Sequence, residues 1–271
     1  MIKTTPNFIY GTAWKKDATT DLVKLALQSG FRAIDTANQA KHYSEALVGD
    51  AIFWALENGI DRSQLWLQSK FTSIDGQDHR LPYNPKADIA TQVRQSFASS
   101  LTHLHTDYLD SYLLHGPYNH PLLGTEDFAV WQVLEELYQS GAAKMIGISN
   151  VNLQQLKMLV EGAAIKPMFV QNRCYAVKGW DKEVRDFCKA QQIHYQGFSL
   201  LTANPQIAQS PAVRVLAKKY QVDSEQIIFR FCQQIGMIPL TGTSDANHMK
   251  ADLNIFAFEL LAEEVKAIEK L

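Results

Sequence analysis

The chain is poor in cysteine and has no excess of charge of either sign. Its three cysteines lie far apart, at Cys174, Cys188 and Cys232, and none belongs to a CxxC pair, which argues against a disulfide framework and a zinc site. Lysine and arginine number 26 against 28 aspartates and glutamates, a formal net charge of −2, so no basic stripe indicates nucleic acid. These absences favour a small-molecule partner and a reducing, cytoplasmic compartment.

Long apolar runs are missing as well. No stretch approaches the roughly 20 apolar residues of a membrane span. Residues 1–10 have neither the charged region nor the apolar core of an export signal. We therefore expect a soluble protein that is not exported and has no membrane partner.

The sequence does contain a regular alternation of short apolar runs with stretches of helical periodicity, repeated about eight times. This pattern predicts parallel strands covered by helices, and eight such units fit an α/β fold of the closed (β/α)8 TIM-barrel type. An open doubly wound sheet is the alternative, but its GxGxxG fingerprint is missing after the first strand. We predict a single domain over residues 1–271, with strands at residues 8–11, 33–35, 65–70, 108–115, 145–149, 168–171, 195–198 and 237–240.

Four proton-active side chains stand at or just beyond the ends of three successive predicted strands: Asp35, Tyr43, Lys70 and His115. The active site of a (β/α)8 barrel lies at the carboxyl ends of its strands, so these groups should share one rim. A cation beside a phenol lowers the pKa of the phenol. We therefore interpret Tyr43 as a proton donor tuned by Lys70, which Asp35 keeps charged. His115, as a neutral imidazole, would orient the oxygen that receives the proton.

One other cluster could suggest a metal site. His103, His105 and Asp107 alternate in a spacing that could ligate a metal ion. They precede a predicted strand, however, and so belong to the opposite, stability-related face of a barrel. We predict no metal.

Several motifs, by their order and spacing, resemble the aldo-keto reductase family along nearly the whole chain. They are GTAWK at residues 11–15, AIDTA at 33–37, SKFT at 69–72, TDYLDSYLLH at 106–115, IGISN at 146–150, VQN at 170–172 and IP at 238–239. The resemblance implies a (β/α)8 barrel and a nicotinamide cofactor that lies extended across the rim. It also implies a catalytic tetrad of Asp35, Tyr43, Lys70 and His115.

The tyrosine of this tetrad departs from the family spacing. The family usually places it five residues after the aspartate and three before a glutamate, but Ala40 occupies the first of these positions. A two-residue insertion after Ala37 leaves Glu45 in register, and Tyr43 then lies one residue beyond the tyrosine position, so a local bulge is needed. A gapless count back from Glu45 points instead to His42. Tyr43 is the preferred proton donor, and His42 is the alternative.

Cofactor contacts follow from the resemblance, position by position. Ser149, Asn150 and Gln171 match the residues that hold the nicotinamide carboxamide, and Phe198 stands where the family usually has a tyrosine stacked on the ring. Further cofactor contacts are expected at Gly11, Thr12, Ser199, Leu201, Thr243 and His248.

The adenine end departs from the family pattern. The family's basic pair for the ribose 2′-phosphate falls near Gly242 and His248, and neither is a permanent cation, although Lys250 could compensate. The resemblance favours NADP(H) as the cofactor, and NAD(H) is the alternative.

The substrate side is marked by Gly116, which follows the catalytic histidine where many relatives carry a tryptophan. This suggests a wider pocket, bounded by Trp14, Tyr118 and the loop at residues 73–83. The predicted activity is NAD(P)H-dependent reduction of an aldehyde or ketone to an alcohol, by a monomer or weak oligomer. The alternatives are a nicotinamide-binding regulatory or sensor subunit with little turnover, and a lyase that uses Lys70 as a Schiff base.

Overall fold

The computed structural model describes residues 5–271, and across that range its strands form one closed parallel barrel. Each strand pairs with the next along the chain, and β8 (Met237–Thr241) closes the ring by pairing with β1 (Ile9–Gly11). The predicted (β/α)8 architecture is confirmed. The remaining strands are β2 (Ala33–Asp35), β3 (Trp66–Phe71), β4 (Ser111–Leu114), β5 (Ile146–Ser149), β6 (Phe169–Arg173) and β7 (His194–Phe198).

Helices connect the strands and cover the outside of the barrel. Within residues 5–271, none of them is long and apolar enough to cross a membrane. They are α1 (Thr19–Ser29), α2 (Glu45–Glu57), α3 (Ile89–His103), α4 (Thr125–Gln139), α5 (Leu153–Gly162), α6 (Lys182–Gln191), α7 (Pro205–Ala208), α8 (Pro211–Tyr220), α9 (Ser224–Gln234), α10 (Ala246–Leu253) and α11 (Ala262–Glu269).

Local sequence signals set the ends of several helices. The helix α1 ends at Gly30, whose φ of 116° lies in the left-handed region, and the Gly30 amide donates to the carbonyls of Ala26 and Leu27. At α8, the Ser210 side chain accepts a hydrogen bond from the Val213 amide. The chain therefore leaves or enters these helices at defined points, which fixes where the neighbouring strands begin.

The interior of the barrel is apolar at its base and polar toward its rim. Ile9, Trp66 and Phe169 are the first residues of their strands, and their side chains belong to a buried cluster at the base. Alternate residues of a strand share one face, so Gln68 and Gln171 line the interior two positions nearer the rim. Polar groups are thus gathered at the end of the barrel where the site was predicted.

One strand is shorter than predicted. The strand expected over residues 108–115 covers only Ser111–Leu114. Just before it, the Asp110 carboxylate accepts hydrogen bonds from the Leu67 amide at 2.9 Å and from Arg62 at 2.8 Å. The Asp110 side chain occupies the Leu67 amide, which regular pairing between β3 and β4 would otherwise use. Regular pairing therefore begins only at Ser111.

The segment at residues 73–83, which was predicted to border the substrate, folds back onto the barrel. The Tyr83 hydroxyl donates to the Thr72 carbonyl at 2.9 Å, and Arg80 donates to the Ala40 carbonyl at 2.7 Å. The segment is therefore tied both to the end of β3 and to the loop that follows β2.

Candidate active site

Asp35 and Lys70 form a buried ion pair on neighbouring strands. Asp35 ends β2 and pairs in register with Gln68 of β3, so Lys70 lies two residues closer to the rim. The Lys70 Nζ atom lies 2.7 and 2.8 Å from the two Asp35 oxygens and donates to the Thr36 carbonyl at 2.8 Å. Burial lowers the pKa of Lys70, and the Asp35 carboxylate opposes that shift. Because Lys70 is fully buried and paired, the geometry argues against a Schiff-base lyase.

A layer of three glutamines supports Asp35 from inside the barrel. Gln68 and Gln196 exchange amide hydrogen bonds of 2.8 and 2.9 Å. The side-chain amides of Gln68 and Gln171 also donate to Asp35 Oδ1, at 2.7 and 3.0 Å. These donors hold the Asp35 carboxylate in place, since buried carboxylates are stable only when their lone pairs are satisfied. The sequence analysis missed Gln68 and Gln196, although both are amides placed within otherwise apolar strands.

Tyr43 reaches the same site through a tight turn after β2. The amides of His42 and Tyr43 both donate to the Gln39 carbonyl, at 3.1 and 2.9 Å. This turn accommodates the unusual spacing between Asp35 and Tyr43. The tyrosine ring lies edge-on to His115 with ring centroids 5.8 Å apart, and Lys70 Nζ lies 5.3 Å from the tyrosine ring centroid.

The expected lowering of the Tyr43 pKa is not what the surroundings of the phenol produce. We predicted that Lys70 would lower the pKa of Tyr43. Burial instead raises the pKa of Tyr43 above its ordinary value, and the Asp35 carboxylate raises it further. The Lys70 ammonium, which is paired with Asp35, does not outweigh the burial of the phenol. The Tyr43 phenol therefore stays protonated at ordinary pH, which suits a proton donor.

His42, the alternative to Tyr43, has other contacts. Its Nδ1 lies 3.0 Å from Gln39 Oε1, and its ring stacks on Trp14 with centroids 4.2 Å apart. Burial lowers the pKa of His42 and Lys41 lowers it further, while Asp78 opposes the shift, so the neutral ring is favoured. The structure thus brings Tyr43 rather than His42 against the ion pair and the other histidine.

His115 follows β4 and faces the tyrosine. Its amide donates to the Phe71 carbonyl at 2.9 Å, and its Nδ1 lies 2.7 Å from the Thr72 hydroxyl. Burial lowers the pKa of His115 well below its ordinary value, and the Lys70 charge adds to the effect. The imidazole is neutral, as predicted. The sequence analysis missed Thr72, because its role depends on a contact between two strand ends.

The predicted nicotinamide contacts lie together at the ends of β5 and β6. The Ser149 hydroxyl donates to the Gln171 carbonyl at 2.7 Å, and Asn150 donates to the His115 carbonyl at 2.8 Å. Gln171 Nε2 is used by Asp35 and by Gln196, whereas its Oε1 accepts no hydrogen bond within residues 5–271. An acceptor is therefore left for a ligand amide.

Phe198 lies beside a cation that the sequence analysis missed. Arg173 and Phe198 are partners in the β6–β7 register, and the guanidinium carbon of Arg173 lies 5.7 Å from the phenylalanine ring centroid. Both residues line the cleft described below, so Arg173 adds positive charge beside the predicted stacking ring.

A second missed cation lies toward β8. Lys15 Nζ donates to the Gly242 carbonyl at 2.7 Å and lies 4.9 Å from the Tyr10 ring centroid. Burial lowers the pKa of Lys15 to about 8.

His248 is exposed on α10, and its amide donates to the Asp245 carboxylate at 3.1 Å. Burial raises the pKa of Asp252, on the same helix, to about 7.

These groups surround one elongated cleft of about 530 Å³ at the rim. It extends from the tyrosine and histidine past β5, β6 and β7 to the end of β8. Of the predicted residues, the cleft is lined by Gly11, Trp14, Asp35, Tyr43, His115, Ser149, Asn150, Gln171, Phe198, Ser199, Leu201 and Thr243. His42, the alternative proton donor, and Gly242 also line it, and residues that line it without having been predicted include Arg173, Thr202 and Phe229.

Five predicted residues do not line this cleft: Thr12, Lys70, Gly116, Tyr118 and His248. Thr12 is buried, and its hydroxyl donates to the Asp35 carbonyl at 2.9 Å. Lys70 lies beneath the cleft, where it holds Asp35. Thr12 and Lys70 therefore support the site from below.

The outer wall of the substrate side is open. Trp14 is 65% exposed and has a left-handed backbone with φ of 65°. A Cβ atom on Gly116 would meet nothing closer than the Asn150 Cβ, at 3.8 Å, so the glycine leaves space for a larger side chain or for a ligand. Within the described part of the chain, no group of three or more His, Cys, Asp or Glu side chains is placed to hold a metal ion.

A closed parallel barrel with a buried lysine–aspartate pair beneath a tyrosine and a neutral histidine defines a class of barrel oxidoreductases. Residues 7–271 match the model of the Aldo/keto reductase family. The chain belongs to this family, whose members typically reduce carbonyl groups with NAD(P)H. The predictions of the family and of an NAD(P)H-dependent oxidoreductase are confirmed.

Individual relatives agree with this assignment. The chain is 32% identical over 253 residues to a glyoxal reductase of Bacillus subtilis, an alignment that covers 93% of this chain and 83% of the relative. It is 29% identical over 284 residues to human aldo-keto reductase family 1 member C1, and that alignment covers 94% of this chain and 83% of the relative. Among solved structures, the Bombyx mori aldo-keto reductase in complex with NADP superposes with a TM-score of 0.83 at 26% identity. The superposition covers 99% of this chain and 89% of that structure.

Proposed function

We propose that this protein reduces a small aldehyde or ketone with NADP(H), and that Tyr43 donates the proton to the carbonyl oxygen. The observation that carries the proposal is the shared cleft. Tyr43 and His115 line it with ring centroids 5.8 Å apart, while Lys70 and Asp35 lie directly beneath. A carbonyl oxygen placed between the phenol and the imidazole would meet two hydrogen-bond donors.

The residues of the cleft fit a nicotinamide cofactor. Phe198 presents an aromatic face, and Gln171 retains an unused acceptor beside Ser149 and Asn150. Arg173 contributes positive charge on the same side of the cleft, which suits an anionic dinucleotide. A bound nicotinamide supplies the hydride. NADP(H) is the proposed cofactor because a relative of the same fold was solved with NADP, and NAD(H) is the alternative to be tested beside it.

The proton chemistry follows from the charges around Tyr43. The raised pKa keeps the phenol neutral until the substrate oxygen gains negative charge. Loss of the proton leaves a phenolate, and the Lys70 ammonium, whose Nζ lies 5.3 Å from the ring centroid, would stabilise its charge. His115 would donate from Nε2 to the same oxygen and orient it.

The test compares Tyr43→Phe with His42→Phe. General acid catalysis contributes typically 10²- to 10⁴-fold, so Tyr43→Phe should lower kcat/KM for a simple aldehyde by about 100-fold or more. NADPH affinity, measured by quenching of tryptophan fluorescence, should change less than about threefold, because removal of one hydroxyl leaves the dinucleotide contacts in place.

His42→Phe should lose far less kcat than Tyr43→Phe. The reverse ranking would assign the proton to His42. Binding of NADPH or NADH without turnover on a broad carbonyl panel would instead support the sensor alternative.

We further propose that the protein is cytoplasmic and is a monomer or weak oligomer. Cys174, Cys188 and Cys232 are free and buried, which suits a reducing compartment. Light scattering of the purified protein tests the oligomeric state.

A further inference from the structure

The His42 ring on the substrate side of the cleft is held in one tautomer by Gln39, and Gln39 is itself oriented by the Gly76 carbonyl. Gln39 is buried, and its Nε2 donates to the Gly76 carbonyl at 2.6 Å. A flipped amide would bring two oxygens together there. Gln39 Oε1 must therefore be the atom that faces His42 Nδ1, at 3.0 Å, and an oxygen acceptor requires a proton on Nδ1.

His42 consequently offers a lone pair to the cleft. A neutral imidazole carries one proton, and the pKa of His42 is lowered by burial and by Lys41. With Nδ1 protonated, Nε2 is the acceptor, and it has no hydrogen-bond donor within residues 5–271. His42 lines the cleft next to Tyr43, and Trp14 stacks on its ring with centroids 4.2 Å apart.

The second histidine of the cleft has the opposite arrangement. The Thr72 hydroxyl lies 2.7 Å from His115 Nδ1 and finds no other acceptor in the described residues. It therefore donates to Nδ1, which leaves the His115 proton on Nε2. The cleft thus combines two donors for a carbonyl oxygen, Tyr43 and His115, with one acceptor, His42, for a different group of the same substrate.

We propose that His42 is a specificity-determining residue that selects carbonyl substrates bearing a hydroxyl group, by accepting the hydroxyl hydrogen bond at Nε2. The inference rests on the proposed carbonyl reduction and adds the substrate class. A purely apolar substrate would cover Nε2 without satisfying it, and sites built to bond a polar group reject analogues that lack it.

The test uses aldehydes matched in size. Glycolaldehyde and propanal have the same number of non-hydrogen atoms, and methoxyacetaldehyde and butanal form a second pair in which the hydroxyl donor is absent. The quantity measured is the kcat/KM ratio within each pair, compared between wild type and variants, so that differences in intrinsic reactivity and hydration cancel. A neutral hydrogen bond should change the first ratio about 3- to 10-fold.

His42→Phe should lower the glycolaldehyde/propanal ratio by that factor and leave the methoxyacetaldehyde/butanal ratio unchanged. His42→Gln, which can present an amide oxygen, should restore part of the first ratio. An equal change in both pairs, or none in either, would overturn the inference while leaving the proposed reductase intact. Absence of turnover by the wild type on these four aldehydes and on a broad panel of aldehydes and ketones would overturn the proposed function itself.

A second readout is independent of turnover. Long-range ¹⁵N–¹H spectra distinguish the two imidazole tautomers, and the wild type should show the His42 proton on Nδ1. Gln39→Leu removes the acceptor that sets this tautomer and should shift the His42 signals toward the Nε2–H form. An Nε2–H tautomer in the wild type would overturn the inference directly.

Discussion

The Thr72 hydroxyl decides which nitrogen of His115 can serve the substrate. Thr72 is buried, and its Oγ1 lies 2.7 Å from Nδ1 of His115. Because the threonine donates this hydrogen bond, the imidazole proton is held on Nε2, where it can reach a substrate oxygen. Residues that orient a reacting imidazole in this way commonly affect its activity without touching the substrate.

Thr72→Val keeps the shape of the side chain and removes the donor. We expect kcat/KM for propanal to fall about 10- to 100-fold, since the oriented Nε2–H donor is lost in part of the molecules. Thr72→Ser retains the hydroxyl and should stay within about threefold of wild type. Steady-state kinetics measure both variants, and equal losses in the two would show that packing, rather than the hydrogen bond, is responsible.

The start of α10 has a histidine, His248, where a permanent cation would be expected for a phosphate. The neighbouring Asp245 carboxylate already accepts the amides of Asn247 and His248, at 2.7 and 3.1 Å, so that helix end offers little to an added phosphate. If the adenosine end of the cofactor reaches α10, as the family resemblance implies, the ribose 2′-phosphate meets no permanent cation at residue 248.

His248→Arg should therefore tighten NADPH binding about fivefold or more, because a guanidinium forms charge-assisted hydrogen bonds with phosphate. NADH affinity should be unchanged, and His248→Gln serves as the uncharged control. Fluorescence titration with the two cofactors measures the effect. An equal gain for NADH would mean that the new arginine does not contact the 2′-phosphate.

A buried carboxylate connects α2, α3 and β3 behind the site. Glu45, the first residue of α2, accepts hydrogen bonds from the Ser69 hydroxyl and, at 2.9 Å, from His103 Nδ1. The hydrogen bond to Glu45 raises the pKa of His103 above its ordinary value, although burial opposes the shift. The residue that sequence spacing suggested as a metal ligand instead joins two helices.

This contact predicts a pH-dependent stability. Since the folded pKa of His103 lies above the unfolded value of roughly 6.5, its stabilising effect is complete below the unfolded pKa. The effect is lost as pH rises through the folded pKa. Because the side chain of His103 is 35% exposed, solvent weakens the pair, and a contribution of about 1 kcal/mol is expected.

Urea denaturation of wild type and His103→Gln checks this effect. The difference in the free energy of unfolding should be about 1 kcal/mol at pH 5.5 and much smaller at pH 8.5. The same difference at both pH values would show that the charge on His103 contributes nothing.

The ends of individual helices and strands agree best with the sequence where local signals, such as helix-capping residues, are strong. The helices α8 and α9 each begin directly after a polar capping residue, Ser210 and Asp223. The strand predicted over residues 108–115 was too long, because the side chain of Asp110 bonds the Leu67 amide. Sequence periodicity alone does not reveal that bond.

Closure of the sheet joins the eight strands of the described residues into one structural unit. The first and last strands pair directly, Ile9 with Leu240 and Tyr10 with Thr241, so no part of the barrel can separate without breaking strand pairing at two edges. We therefore expect a single unfolding transition, consistent with one domain over the chain.

Far-ultraviolet circular dichroism and tryptophan fluorescence should report coincident unfolding midpoints in urea. NADPH at 100 times its Kd should add about 2.7 kcal/mol to the free energy of unfolding. Two separated transitions would contradict the single unit. A single transition that NADPH leaves unmoved would contradict the proposed cofactor.

The sequence by itself determined the barrel and the identities of four side chains at its rim. Alternating strand and helix periodicity specifies how many βα units exist, and the carboxyl ends of parallel strands must meet at one edge. Asp35, Lys70 and His115 follow from that rule. Tyr43 follows less directly, because it lies beyond the strand end and its spacing from Asp35 departs from the family pattern.

Only the tertiary structure decided how these groups are charged and oriented. Gln68 and Gln196, which brace Asp35, are 128 residues apart, and no local pattern joins them. The raised pKa of Tyr43 results from burial, and the tautomers of His42 and His115 depend on Gln39 and Thr72. Burial and hydrogen-bond partners depend on which distant segments meet, so they become known only when the barrel is closed.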